Sequence, residues 1–403
     1  MFPSHWILFA TIPFTYALIG WVTNWLALKM TFYPIQFIGY PPYLGWQGII
    51  PRKANKIAQN FVEVITEKLL DVKEIAKKID DATVEKKLSD ALEPTIHKAT
   101  IEFANSIDPE LWNKIPKNLQ IDIINKIKKE SGVIIKKITR EIQEDNHSKL
   151  DIKNLVFEKL TGENTKTIVD MFQSVGGPEF KFIERSGLYF GFILGFIQLL
   201  IWIHFPVAWT LPLQGVLVGY VTNFLAIQMI FRPLEPKKYF GIFEYQGLFL
   251  KRKESVSLAF AKIVSEQILS SKNILEELLS GKAAEILLLD IQKEILIQID
   301  RITTFAKPLI AVTGKWSTYE TSKLEISKTI TDATILQAKG LDDYLQSCMA
   351  LETIITTKMN GMSLKDFESI LRSAFQEDEL LLILIGAALG AFVGFLQLVL
   401  VSL

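Results

Sequence analysis

The stretch Gly20–Pro34, GWVTNWLALKMTFYP, recurs as GYVTNFLAIQMIFRP at Gly219–Pro233, 199 residues further along the chain. The same offset relates Gln47-Gly48 to Gln246-Gly247. It also relates two glycine triplets near the end of each half, which are Gly187, Gly191 and Gly195, and Gly386, Gly390 and Gly394. One offset that holds at both ends predicts two repeats of nearly equal length, 1–204 and 205–403.

Four stretches of the sequence contain almost no charge. They are about 6–30, 187–205, 207–231 and 380–402, and Lys29 is the one Lys, Arg, Asp or Glu among them. A hydrocarbon core about 30 Å thick is spanned by about 20 apolar residues of helix. We therefore expect four transmembrane helices, and the alternative is four buried helices of a soluble protein.

Each repeat would then be a helix into the membrane, a long polar segment and a returning helix. The polar segments are about 31–185 and 232–379. Each repeat crosses the membrane twice and ends on the side where it began, so the two copies share one orientation, as parallel repeats do. The predicted fold is an all-α membrane protein built from two parallel internal repeats.

Basic residues gather beside the polar ends of the four predicted spans. The positive-inside rule places such ends in the cytoplasm, which puts both polar segments there and both termini outside. The residues concerned are Arg52, Lys53, Lys56, Lys181, Arg185, Arg232, Lys237, Lys238 and Arg372.

Apolar residues recur at helical spacing in both polar segments, and this pattern predicts long amphipathic helices. The clearest series are Ile123, Ile127, Ile134 and Ile138, and Leu288, Ile291, Ile295, Ile299 and Ile302. Their apolar faces could cover one another in a bundle, pack between the repeats, bind the membrane surface or line a groove for lipid acyl chains. The sequence leaves these alternatives open. The segment 34–47, rich in aromatic residues, Pro and Gly, is expected to lie along the membrane interface.

Two polar pairs fall inside the predicted spans, Thr23-Asn24 and Thr222-Asn223. An unsatisfied amide in lipid costs several kcal/mol, on the order of the penalty for burying a polar group. One interpretation is hydrogen bonding between helices, or a position at the interface. The other is a symmetric polar site lined by all four residues.

The two glycine triplets repeat every fourth residue, so each triplet lies on one face of its helix. Small residues at this spacing let helix backbones approach closely in lipid, and we expect the second and fourth spans to pack through them. Arg52-Lys53 and Lys251-Arg252 follow the first and third spans. They are candidate contacts for anionic head groups, worth about 1 kcal/mol each, or they only fix the topology.

The sequence lacks the signatures of common enzymes. It has no phosphate-binding Gly-Lys-Ser/Thr loop, no Gly-x-Ser-x-Gly elbow and no paired-histidine zinc motif. The single cysteine excludes a disulfide framework, and 44 basic against 44 acidic residues argue against a nucleic-acid partner. Nearly uncharged spans weigh against an ion-coupled transporter. We expect no enzymatic activity, no cofactor and no metal.

The block from Gly20 to Pro34, followed by Gln47-Gly48 and Pro51-Arg52-Lys53, resembles domain-of-unknown-function family 445, the YheB- and YjiN-like bacterial membrane proteins. The segment Phe182–Gly187 is similar to the family's entry into its closing membrane helix. In the second copy Gln228, Leu250 and Leu384 replace Lys29, Pro51 and Arg185. The resemblance implies a protein of the bacterial inner (plasma) membrane and supplies no activity.

Three functions are compatible with these features. The leading hypothesis is a non-enzymatic scaffold of the bacterial envelope, whose helical cytoplasmic domains bind protein partners or a second copy. The second is binding or transfer of lipids or other hydrophobic molecules through the apolar helix faces. The third is a transporter that uses the repeated Thr-Asn motif. Membrane lipids are expected partners in each case.

Overall fold

The computed structural model describes residues 4–40, 44–144, 151–239, 241, 243–281, 284–304, 306–312, 314–372 and 379–402, with side chains of the first helix described from residue 11. The described chain is almost entirely helical. In chain order its helices and strands are α1 Ser4–Phe32, β1 Ile38–Tyr40, β2 Leu44–Trp46, α2 Ile49–Arg52, α3 Ala54–Glu63, α4 Val72–Ala76, α5 Asp81–Ile107, α6 Pro109–Lys114, α7 Lys117–Glu144, α8 Ile152–Leu160, α9 Thr165–His204, α10 Thr210–Phe231, β3 Lys237–Tyr239, β4 Phe243–Tyr245, α11 Leu248–Lys251, α12 Lys253–Ile263, α13 Ser271–Ser280, α14 Ala284–Ile302, α15 Lys307–Val312, α16 Trp316–Ala338, α17 Asp342–Met349, α18 Leu351–Gly361, α19 Leu364–Arg372 and α20 Glu379–Ser402.

The chain folds into two compact units. The first, here called the membrane unit, comprises Met1–Leu69, Val156–Ile263 and Glu352–Leu403. The second, the helical unit, comprises Leu70–Leu155 and Val264–Leu351. Each unit takes residues from both halves of the chain. The two compact units therefore do not coincide with the predicted repeats 1–204 and 205–403. The boundary between the repeats stays a prediction.

Three helices in the described part of the chain are long and apolar enough to cross a membrane. They lie within Gly162–His204, Thr210–Phe231 and Glu379–Val399. These ranges contain most of the second, third and fourth predicted spans. The first predicted span, 6–30, falls in α1; its residues 6–10 lie outside the described side chains, and α1 is not among the three.

Helix α9 is longer than any membrane span requires. Its 40 residues rise about 60 Å at 1.5 Å each, twice the thickness of a hydrocarbon core. Its charged residues end at Arg185, and the rest of the helix is uncharged apart from the terminal histidine. The predicted boundary between polar segment and span is thus a change of composition inside one continuous helix.

The membrane unit contains two close helix pairs, α1 with α9 and α10 with α20. Helix α1 also contacts α10 and α20, and α9 contacts α10, so the four helices form one bundle. A short antiparallel hairpin follows α1, with Ile38 opposite Trp46, and another follows α10, with Lys237 opposite Tyr245. Each hairpin is tied back by a glutamine: Gln47 Nε2 donates to the Ile35 carbonyl and Gln246 Nε2 to that of Leu234, both at 2.8 Å.

Four long helices, α5, α7, α14 and α16, make the framework of the helical unit. Helix α5 packs on α7 and α16, and α14 packs on α7 and α16. Asp80 caps the start of α5 by accepting a hydrogen bond from the Thr83 amide at 2.9 Å, which satisfies one of the unpaired donors of the first turn. The buried residues of α5 and α14 recur at helical spacing, as the sequence predicts for amphipathic helices.

Candidate functional site

Asn24 joins the first helix pair of the membrane unit. Its side chain is fully buried, and Nδ2 donates to the Ile183 carbonyl of α9 at 2.7 Å. The hydroxyl of Thr23 donates along its own helix to the Gly20 carbonyl at 3.1 Å. The Oδ1 atom of Asn24 is buried without a hydrogen-bond partner.

Asn223 makes the same contact in the second pair. Its Nδ2 donates to the Leu382 carbonyl of α20 at 2.8 Å, and Thr222 donates to the Val218 carbonyl at 2.8 Å. Each asparagine thus serves its own helix pair. This geometry favours the interpretation of interhelical hydrogen bonds over a shared polar site.

The glycine triplets lie where these helices touch. A Cβ atom added at Gly187 would overlap the Gly20 backbone, and one added at Gly386 would overlap the Asn223 amide. The other four glycines meet backbone in the same way: Gly191 at Tyr16, Gly195 at Pro13, Gly390 at Gly215 and Gly394 at Leu211. The second and fourth spans therefore pack against the first and third helices through these faces, since no larger residue leaves room for so close an approach.

The four basic residues that follow the first and third helices differ in surroundings. The Nη1 atom of Arg252 lies 2.6 Å from Oε1 of Glu179, a carboxylate that is almost completely buried. Arg52 and Lys53 also interact with other groups of the protein, and Lys251 is exposed. Only the exposed part of the Arg252 side chain is available to contact a lipid head group.

The sequence analysis missed a charged cluster in the second half of the membrane unit. Glu368 accepts hydrogen bonds or ion pairs from Arg372 at 3.1 Å and from Arg232 at 3.3 Å, and Arg372 also reaches Glu379 at 3.0 Å. The i,i+4 spacing of Glu368 and Arg372 was an available signal for this pair. Arg232 lies more than 130 residues earlier, and the first half has uncharged residues at the four corresponding positions, so the sequence did not indicate the whole cluster.

The helical unit contains two apolar cavities. The larger has a volume of about 340 Å³ and is walled mainly by isoleucines of α5, α7, α14 and α16. The smaller has about 170 Å³ and is lined by other residues of the same four helices, together with α4, α8, α13 and α17. Apolar side chains line nearly all of both cavities.

The two cavities follow one another along the framework helices. On α14, Leu287 and Ile291 line the smaller cavity, whereas Ile295, Ile299 and Ile302 line the larger. Helices α5, α7 and α16 divide in the same way. Four residues that each line one of the two cavities pack together in a single apolar cluster: Ile134, Leu287, Ile291 and Ile295. We call the two cavities together the apolar tunnel; its wall on α14, from Leu287 to Ile302, is about 22 Å long at 1.5 Å per residue.

A few polar groups lie in the wall of the larger cavity. Lys315 Nζ pairs with Asp108 Oδ2 at 3.0 Å, and Glu130 Oε2 lies 3.8 Å from Arg301. Gln298 also lines this cavity, and its Oε1 atom is buried without a hydrogen-bond partner. The sequence signal for Gln298 was available: it lies on the face of α14 that carries Ile295 and Ile302.

A hydrogen-bonded group borders the same cavity through Thr303. The buried Tyr319 hydroxyl lies 2.7 Å from Thr303 Oγ1 and donates to Asp300 Oδ1 at 2.9 Å. Burial, and then the neighbouring carboxylate, raise the pKa of Tyr319 to about 12. Among the residues that the structure describes, no three or more His, Cys, Asp and Glu side chains are placed to hold a metal ion.

Residues 16–146 match the model of a family described as "protein of unknown function (DUF445)". Similar proteins include UPF0754 membrane proteins of Bacillus cereus strain AH820, Bacillus anthracis strain A0248 and Bacillus thuringiensis subsp. konkukian strain 97-27. Each is 30% identical over 112 residues, which are 27% of this chain and 28% of the relative. The match thus spans little more than a quarter of these relatives. No solved structure matches the chain.

Proposed function

We propose that this membrane protein, whose residues 16–146 match the DUF445 family model, binds long apolar molecules such as lipid acyl chains in the apolar tunnel. This proposal rests on the two neighbouring cavities, which have volumes of about 170 and 340 Å³. Apolar cavities accept apolar ligands, and 340 Å³ reaches the lower range of small-molecule sites. The proposed role is binding, without a chemical reaction.

The burial of apolar surface supports an occupant. Each CH₂ group of an alkyl chain that leaves water for contact with the isoleucine walls is worth about 0.8 kcal/mol. Lipids are the most abundant apolar molecules that a chain with membrane spans meets.

We infer that the chain is built from two parallel repeats whose polar segments form the tunnel together. Residues 199 apart in sequence line the same cavity, for example Leu70 with Leu269 and Ile96 with Ile295. Phe61 and its counterpart Phe260 touch each other, with ring centroids 5.7 Å apart. Such a contact between equivalent residues is expected near a two-fold axis.

The family resemblance and the basic residues beside the spans support a location in the bacterial inner (plasma) membrane. In this proposal the helical segments lie in the cytoplasm and both termini outside. Accessibility of single cysteines, introduced at exposed positions of a Cys348→Ser chain, to a membrane-impermeant thiol reagent in intact cells tests the orientation. Labelling of a helical-unit cysteine without lysis would overturn it.

Trp112 provides the test of apolar binding, because its buried ring lines the larger cavity. Bromododecane quenches tryptophan fluorescence on contact. With full-length protein in detergent, we expect saturable quenching in the wild type, and loss of one component in Trp112→Phe, which retains the other seven tryptophans. Equal quenching of the two proteins would overturn the proposal.

Partner binding is a second candidate, favoured by large apolar side chains on the surface of the helical unit. Leu336 is 65% exposed, and Leu289 and Ile286 are 58% and 57% exposed on the first turns of α14. Chemical crosslinking in membranes tests this scaffold hypothesis. Crosslinked dimers or hetero-complexes that disappear in Leu289→Glu support it, and their absence in the wild type counts against it.

A further inference from the structure

We infer that a groove at the end of helix α10 binds the head group of a zwitterionic phospholipid. The groove lies in the membrane unit and has a volume of about 1010 Å³, at the upper end of the range of small-molecule sites. Arg232 and Lys237 hold the lipid phosphate in this assignment, and Glu235 holds the ammonium group. The groove shares no lining residue with the apolar tunnel, so its assignment stands apart from the proposed function.

The end of α10 and one face of the hairpin β3–β4 form the walls of the groove. Lys237 and Tyr239 of β3 line it, whereas Lys238 between them does not, because successive side chains of a strand point to opposite faces. Tyr245 of β4 lies directly opposite Lys237. Its hydroxyl donates to the carbonyl of Met229 in α10, which ties the hairpin to the helix. The two walls of the groove are therefore joined by a hydrogen bond.

The position of the groove in the chain indicates the depth of lipid head groups. Helix α10 is one of the three helices that can cross a membrane, and it ends at Phe231. Arg232 follows at once, and basic residues directly after a span lie beside the membrane surface. Tyr239 and Tyr245 suit the same depth, because tyrosine is enriched where an apolar ring and a polar hydroxyl meet lipid and water. A phospholipid is thus the phosphate-bearing molecule that this groove meets.

The charges of the groove favour a head group that carries both signs. Arg232 Nη2 lies 3.3 Å from Oε1 of Glu368, a buried carboxylate that also pairs with Arg372. The Arg232 side chain is still 44% exposed, which leaves other N–H groups to donate to a phosphate oxygen. Exposed Lys237 adds a second cation, and exposed Glu235 adds a carboxylate. A purely anionic head group would meet Glu235 unfavourably, whereas an ammonium group pairs with it.

These charged residues occur in only one half of the chain. At the 199-residue offset their counterparts are Tyr33, Gln36 and Ile38, none of which is charged. The first half nevertheless forms the equivalent hairpin β1–β2. The hairpin fold therefore does not require the charges, which supports a role for them in binding.

Native mass spectrometry of the full-length protein in detergent tests this site. The protein is titrated with phosphatidylethanolamine, phosphatidylcholine and phosphatidylglycerol of identical acyl chains. We expect the wild type to bind the two zwitterionic lipids more tightly than phosphatidylglycerol. Lys237→Gln is expected to weaken all three lipids about fivefold, which is the effect of one basic residue at a membrane surface. Glu235→Gln is expected to abolish the preference for the zwitterionic lipids.

Lys238→Gln is the matched control, because it removes the same charge from the neighbouring residue on the opposite face of β3. It is expected to bind all three lipids as the wild type does. The three substituted side chains are exposed, so the lipid-free variants should keep the wild-type unfolding temperature. Lys237→Arg, which retains the charge, should retain binding.

The site is overturned if Lys237→Gln binds lipid as the wild type does, or if Lys238→Gln weakens binding equally, since the attraction would then come from general surface charge. Phosphatidylglycerol that binds the wild type as tightly as the zwitterionic lipids overturns the ligand class. A zwitterion preference that survives in Glu235→Gln overturns the role of Glu235. A difference between phosphatidylethanolamine and phosphatidylcholine, in either direction, supports the class and identifies the ammonium group.

Discussion

Replacement of Ala99 by leucine fills part of the larger cavity. Ala99 lies on α5, is 2% exposed and lines the cavity directly. The change adds about three buried carbon groups, each worth about 0.8 kcal/mol, so about 2.4 kcal/mol is the upper limit. Leucine also suits a helix almost as well as alanine. We expect Ala99→Leu to stabilise the ligand-free protein by about 1–2 kcal/mol.

In a core without a cavity, the same alanine-to-leucine substitution is expected to destabilise the protein. Extra methylene groups in a well-packed interior cost about 1–3 kcal/mol through strain. Ala284 is the matched control, because it is 4% exposed, lies on α14 in the same unit and lines neither cavity. Ala284→Leu is expected to lower the thermal unfolding temperature, and Ala99→Leu to raise it.

The assay combines thermal unfolding of the full-length protein in detergent with bromododecane quenching of Trp112. Ala99→Leu is expected to raise the unfolding temperature and to weaken quenching at a given bromododecane concentration, because the added side chain occupies volume that the ligand needs. If Ala99→Leu destabilises the protein as much as Ala284→Leu does, the cavity volume does not exist in solution. If Ala99→Leu stabilises the protein but leaves the quenching by bromododecane unchanged, the ligand binds elsewhere.

Asn223→Leu removes one interhelical hydrogen bond and is expected to lower stability by about 0.6–1.7 kcal/mol, as measured by thermal unfolding. Gly191→Leu forces a side chain into the backbone at Tyr16 and is expected to cost about 1–3 kcal/mol, seen as loss of monodisperse protein on size exclusion. Burial opposes the charged form of Asp300, but hydrogen bonds from neighbours including Lys323 lower its pKa overall. Asp300→Asn should therefore lower stability by under about 1 kcal/mol at pH 7, and this difference should vanish as the pH falls through the lowered pKa.

Composition and spacing were sufficient for much of the fold. Uncharged stretches located three helices that can cross a membrane, because lipid admits almost no unpaired charge. The hairpin Ile38–Trp46 was not predicted as strands. Its strands have three residues each, too few to show an alternating pattern. Helical periodicity likewise gave no sign of the π-helical turns at Val64–Leu69 and Val264–Ile268.

The tunnel could not be predicted for a different reason. Periodicity shows which face of a helix is buried, as it did for Ile295, Ile299 and Ile302, but it carries no information on how far apart the facing walls lie. That distance depends on how the helices α5 and α7 pack with α14 and α16, which lie more than 130 residues later in the chain. The hydrogen-bond partner of a buried asparagine could not be predicted either. The sequence predicted Asn24 within a membrane span, but the Ile183 carbonyl that accepts its hydrogen bond lies 159 residues away.

The two proposed repeats differ where the ligand would meet polar groups. Gln298 corresponds to Ala99 at the 199-residue offset, and Lys315 corresponds to Pro116. In a tunnel with two identical halves, an amphiphile would have two equivalent orientations. Because Gln298 and Lys315 have apolar counterparts at this offset, the two halves of the larger cavity are not chemically equivalent. Two opposite orientations of a ligand with one polar end would therefore differ in binding free energy, whereas the orientations of a plain hydrocarbon would differ much less.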